Sequence, residues 1–251
     1  MLKWPALWLP ALITNAFQSL ASIPLATNTA QGVVMVAANI AALFINAGWL
    51  RMIAQALHGE RPTMEDFKSG VNGGWMSIVF GSLAFFVLIG LLAVGLGFYG
   101  DHAYHFATLE NWVKLVQAAT PQKQQALLQP EAIPAPVRGW MTLAMIWMVL
   151  TAIAAFLLLL WQPLVIVERL NWWRAWGRSA RLTLAQFRRV LLFAVLNGVT
   201  FVLSLSLMGT GNEVLEFVGL VALLVVLVYF KILYTAIVVD SSSHGEVETL
   251  A

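Results

Sequence analysis

Glu168 to Arg189 reads ERLNWWRAWGRSARLTLAQFRR, a stretch that sets six arginines and three tryptophans between two long apolar runs. On a helix over Asn171 to Arg181, Trp173, Trp176 and Ala180 recur at three- and four-residue spacing on one face, and Arg174, Arg178 and Arg181 occupy another. A helix of that kind lies in a membrane interface, with rings at the acyl boundary and guanidiniums among phosphates. Thr183-Leu184-Ala185-Gln186 has the form of a capping box, which predicts that a new helix starts there and turns into the bilayer.

The flanking composition supports a membrane reading. Of 251 residues, 60% are hydrophobic and only 10% charged, and the mean hydropathy is +0.81. A soluble domain carries roughly a quarter charged residues, so lipid must be the solvent for most of this chain. The net charge of +2 is concentrated in connecting segments, not spread over a soluble basic face, which excludes a nucleic-acid partner. The absence of cysteine excludes disulfides, thiolate nucleophiles and zinc-thiolate or iron–sulfur sites.

Six apolar runs follow one another: Trp4 to Leu25, Gln31 to Ala56, Gly73 to Tyr99, Gly139 to Val167, Val190 to Met208 and Val214 to Val239. Irregular backbone cannot face hydrocarbon, so each run is read as a membrane helix. The first also offers Ser19-Leu20-Ala21 as a passable signal-peptide cleavage site, but its prolines and the closeness of the second run favour a retained span. Pro163 predicts a kink or break near the end of the fourth run. Between the third and fourth runs, residues 100–138 form a polar insertion with an amphipathic piece (Trp112, Leu115, Val116, Ala119) and a helix start at Thr120-Pro121. The expected organisation is one all-α, polytopic domain over residues 1–240 with about six transmembrane helices and cytoplasmic interfacial elbow helices. Residues 241–251 read as a disordered cytoplasmic tail.

Lys and Arg set the orientation. Ten of them (Lys3, Arg51, Arg61, Lys68 and the six connector arginines) fall on one side and three (Lys114, Lys123, Arg138) on the other, with Lys231 inside the last run. Both termini are therefore expected in the cytoplasm, with residues 100–138 on the other side of the membrane. The first cytoplasmic loop reads as a fainter copy of the connector. Pro62, Thr63 and Asp66 make a helix start, Met64, Phe67 and Val71 an apolar stripe, and Gly70, Gly73 and Gly74 let the chain turn and pack closely.

Candidate chemistry is sparse. Lys231 lies nine residues before Asp240, about 13 Å into the last helix, where an uncompensated lysine is costly. With Asn39 and Asn46, which share a face of the second run, it can line an intramembrane polar path for a small solute or a lipid; Asn15, Gln18 and Asn197 add further amides. Asp101, His102 and His105 gather beside Glu110, but the spacing of a third metal ligand is missing, so no metal and no cofactor is expected. No nucleophile elbow, phosphate loop, HExxH site or paired-carboxylate site is present, which points away from catalysis.

RMIAQALHGERPTMEDFKSGVNGGW (51–75) and WQPLVIVERLNWWRAWGRSARLTLAQFRRVLLF (161–193) resemble the two cytoplasmic elbows of a group of uncharacterised six-helix bacterial inner-membrane proteins. That group is related to the membrane domain associated with glycerophosphoryl diester phosphodiesterases. Pro163, Trp176, Ser179, Arg188 and Arg189 stand at positions where the group carries a proline-bearing fourth helix, a polar aromatic elbow and a basic lead into the fifth helix. The resemblance implies a bacterial inner-membrane location, a lipid-related envelope role and no phosphodiesterase activity. The leading expectation is a non-enzymatic protein that contacts anionic lipid through Arg174, Arg178, Arg181, Arg188 and Arg189, with Trp173 and Trp176 as interfacial anchors. The transport path around Lys231, Asn39 and Asn46 is one alternative. The other is a scaffold subunit whose partner is a second membrane protein.

Overall fold

The computed structural model describes residues 5–14, 28–208 and 212–248. Among these every regular element is helical. A 3-10 turn at Pro5–Leu7 precedes a helical stretch at residues 9–14. Nine helices follow: α1 (Asn28–Leu57), α2 (Met64–Tyr104), α3 (Phe106–Ala118), α4 (Pro121–Leu127), α5 (Ala135–Leu157), α6 (Trp161–Val167), α7 (Trp172–Ala185), α8 (Phe187–Met208) and α9 (Glu213–Glu248). Five spans among the described residues are long and apolar enough to cross a membrane: Ala30–Leu57, Met64–Tyr104, Ala135–Val167, Phe187–Ser204 and Val214–Ser242. The protein is thus all-α, with the span content of a multi-pass membrane protein. Most of the first apolar run, including Asn15 and Gln18, lies outside the described residues.

The helices cluster into two compact units, residues 1–82 with 156–251 and residues 83–155. The core of the first is built from Leu50 and Ile78, from Leu160, Leu164 and Val165 of the broken fourth run, and from Val190, Ile237 and Val238. A second cluster seats Leu7 and Ala11 against Trp49, Ile53, Val228 and Ile232. Within the second unit, Gly100 faces Trp140 and Leu143, Gly139 faces the Tyr104 ring, and Trp147 Nε1 donates to Ile89 O at 3.3 Å. There Asp101 accepts the Phe106 backbone N–H at 2.8 Å and so caps α3, and Pro121 stands at the first turn of α4 behind Thr120.

Pro163 acts as expected, with detail the sequence did not give. Its ring excludes the bond to the carbonyl four residues back and clashes with it. α5 accordingly ends at Leu157, and Leu159 N and Trp161 N reach back only three residues, to Phe156 O and Leu158 O, each at 3.2 Å. The helix restarts at Trp161, which puts Pro163 in the first turn, where no N–H is needed.

Two expectations fail around the elbows. The first connector does not turn at Gly70, Gly73 and Gly74, since α2 runs unbroken for 41 residues from Met64. The expected close packing is met at Gly70 and Gly74: a Cβ on Gly70 would lie 2.7 Å from Ala47 O and 3.1 Å from Gly48 Cα, and one on Gly74 would enter the Ile166 side chain. In the second connector no helix starts at Thr183. α7 continues to Ala185, and the bend falls at Gln186, with φ −107° and ψ 32°. The expected tail differs as well, because α9 runs past Asp240 to Glu248. Ser242 Oγ donates to Glu168 Oε1 at 2.9 Å and Arg189 pairs with Asp240 at 3.4 Å, which ties that extension to the connector.

Candidate functional site: the arginine connector and the cavity beside it

Asn171 starts α7. Its extended backbone (φ −69°, ψ 158°) and side-chain oxygen, accepting Arg174 N–H at 2.9 Å, make it the N-cap. From there Ala175, Ser179, Leu182 and Thr183 recur along one face, and all four are buried. Small residues on that face let α7 lie close to the break in the fourth run. Ser179 Oγ donates to Leu157 O at 2.9 Å and accepts Leu160 N–H at 3.2 Å, and Thr183 Oγ1 reaches Leu157 O at 3.5 Å. One hydroxyl therefore satisfies a carbonyl and an amide that Pro163 detached from the helical ladder, a requirement wherever no water can reach.

The opposite face carries the charges. Trp173 is 67% exposed. Trp176 is half-buried, edge-on to Trp161 and Trp172 with ring centroids 6.5 and 5.2 Å away. The tryptophans thus divide: Trp176 joins the core with Trp172, and Trp173 alone projects, a split the helical-wheel reading did not resolve. The arginines divide as well. Arg178 lies 3.7 Å from Glu168 Oε2, and Arg189 pairs with Asp240. Arg174, Arg181 and Arg188 meet no carboxylate among the described residues, Arg181 Nε turning to Gly177 O at 3.3 Å.

Beside α7 a cavity of about 550 Å³ opens between α1, α2 and the end of α6. Arg51, Ser69, Asn72 and Arg169 supply its polar lining, and the buried side chains of Val165 and Ile166 its apolar wall. The sequence offered Arg51 and Arg169 only as orientation charges. They stand 118 positions apart, and no spacing rule links them; the break at Pro163 is what brings Arg169 back towards α1.

The intramembrane polar residues separate. Lys231 Nζ donates to Asn46 Oδ1 and lies 4.9 Å from the centroid of the Trp49 ring, while Asn46 Nδ2 donates to Gln162 Oε1 at 2.7 Å. This relay ties α9, α1 and α6 together, and the cation gains an aromatic face as well as an amide. Asn39 takes no part: it is exposed and returns its amide to Met35 O at 2.7 Å. Gln162 was missed, although an amide beside a membrane proline is a recognisable signal. Asp101 is used as a cap, and Glu110 pairs with Lys114 at 2.6 Å, so both are engaged away from His102 and His105. Among the described residues no three His, Cys, Asp or Glu side chains gather as a metal set.

No protein-family profile, characterised protein or solved structure matches the chain.

Proposed function

We propose that this chain is a non-enzymatic, multi-pass protein of a bacterial inner membrane that engages anionic lipid through its arginine connector. In this reading six helices span the bilayer, both termini lie in the cytoplasm, and α7 is an elbow helix in the cytoplasmic interface. The observation that carries it is the division of α7: Ala175, Ser179 and Thr183 are buried against the break in the fourth run, while Trp173, Arg174 and Arg181 face outwards. An in-plane helix needs that arrangement. Each unpaired arginine at an anionic leaflet contributes on the order of 1 kcal/mol before screening. The resemblance of both connectors to six-helix inner-membrane proteins supports the same placement. The transport alternative loses support because Lys231 is engaged by Asn46 and the Trp49 ring.

The test is native mass spectrometry of protein extracted in neutral detergent from phosphatidylglycerol-containing membranes. Replacing Arg174, Arg181 and Arg188 by glutamine leaves both carboxylate-paired arginines in place. At matched helix content by circular dichroism, retained anionic lipid should fall about tenfold; unchanged retention would overturn the proposal.

A further inference from the structure

Arg169 adopts φ 52°, a left-handed conformation that residues with side chains rarely take. It follows the C-cap of α6, a position where such a φ normally calls for glycine. The conformation carries a cost, and it places this residue at the cavity that Arg51 also lines. No carboxylate lines that cavity. Asp66, whose carboxylate feels the charge of Arg51, is already turned to Thr63 and Gln55. Two arginines therefore line one space with no carboxylate among its described lining residues, an arrangement that an anion bound between them would stabilise.

The rest of the lining suits an anion with an attached organic group. Ser69 and Asn72, exposed on α2, add a hydroxyl and an amide as neutral donors. Gly70 and Gly73 leave that part of the wall free of side chains. Val165 and Ile166 provide an apolar side, and about 550 Å³ exceeds what a bare oxyanion fills. Planar guanidiniums match phosphoryl oxygens two bonds at a time.

We propose that the cavity lined by Arg51, Arg169, Ser69 and Asn72 is a binding site for a phosphoryl anion. The phosphoryl group is supplied either by a phospholipid headgroup or by a soluble phosphate. The lipid source rests on the membrane-contact reading above; the soluble source does not. The site is distinct from the outward arginines of α7, so the two ideas fail separately.

The experiment uses the full chain in neutral detergent, with phosphatidylglycerol binding read by native mass spectrometry and inorganic phosphate binding by calorimetry. Four proteins are compared: the unaltered chain, Arg51→Gln/Arg169→Gln, Asn72→Asp, and Arg174→Gln/Arg181→Gln/Arg188→Gln. The unaltered chain should bind one equivalent of at least one probe, and the first two variants should weaken it at least about tenfold. The triple-arginine variant should retain this equivalent even where it sheds other lipid. Binding of phosphatidylglycerol alone assigns the headgroup source, and binding of both probes assigns the phosphoryl group itself. If the arginine pair variant does not fold, Asn72→Asp decides, since it sets a carboxylate on an exposed position of the lining. Absence of binding by the unaltered chain, or equal binding by the cavity variants, overturns the site. Loss of the single equivalent in the triple-arginine variant alone also overturns it and leaves the connector reading standing.

Discussion

The two connectors of the first unit begin from similar sequence and end as different structures. Residues 58–63 leave α1 through Gly59, at φ 83°, and enter α2 at a complete capping box. Thr63 N and Oγ1 both donate to Asp66 Oδ2, at 2.8 and 2.7 Å, and Asp66 N donates back to Thr63 Oγ1 at 3.3 Å. From there the helix runs unbroken for 41 residues. Residues 158–186 instead break three times, at Leu158–Leu160, at residues 168–171 and at Gln186, and the short helices α6 and α7 pack on each other between the breaks. Their box-like sequence at Thr183 stays inside a helix. The difference lies in what precedes the threonine. Gly59 has already ended the helix before Thr63, and Pro62 stands directly before it. Arg181-Leu182 precede Thr183 and favour helix, and its hydroxyl is already turned to Leu157 O. A capping motif starts a helix only where something else has stopped the one before it.

The comparison breaks most severely at Gly70. If the glycines of the first connector pack and do not turn, a branched side chain there must displace backbone, namely Ala47 O and Gly48 Cα. Gly70→Val is expected to destabilise the protein by about 3 kcal/mol, read as a shifted unfolding midpoint in mixed micelles by tryptophan fluorescence. Gly73→Ala meets nothing within 4 Å and should be neutral or slightly stabilising. Equal losses at the two positions would restore the turn reading.

The second connector has its own weak point. Ser179→Ala leaves Leu157 O and Leu160 N without the hydroxyl that joins them. The expected loss is about 2 kcal/mol by the same measurement, with faster amide exchange at Leu160. Ser179→Thr retains the hydroxyl and should recover part of it. A loss no larger than that of an exposed serine would show that the break needs no side-chain partner.

How far the sequence disclosed this arrangement depends on how local each cause is. Composition and run length disclosed the helical membrane architecture, and Pro163 disclosed the break, because desolvation and a missing N–H act through the residues themselves. The Thr63 box was legible for the same reason. What a local pattern cannot report is the partner across space. Ser179 is one small polar residue among arginines until Leu157 O lies 2.9 Å away. Arg51 and Arg169 count equally towards orientation wherever they point. Asn39 and Asn46 share a helical face, yet Asn39 is exposed and Asn46 buried, so only Asn46 meets Lys231. Arg178 and Arg189, read as lipid contacts, lie against Glu168 and Asp240, carboxylates whose positions follow from the break and from the length of α9.

The smallest effect is the most direct test of the comparison, because it sets the two threonines side by side. Thr63→Ala removes both the acceptor for Asp66 N and a donor to Asp66 Oδ2, at a cost of about 1 kcal/mol. At the second site valine is the matched change, since it keeps the volume of a fully buried side chain and deletes only the hydroxyl. That hydroxyl caps nothing: its one acceptor is Leu157 O at 3.5 Å, and Ser179 already donates to the same oxygen at 2.9 Å. Thr183→Val should therefore cost less than about 0.5 kcal/mol, because the carbonyl is not left bare and the new methyl enters an apolar face. Were Thr183→Val to cost as much as Thr63→Ala, the hydroxyl at residue 183 would be satisfying backbone at the bend, and the helix boundary would have to move from Gln186 back to Thr183.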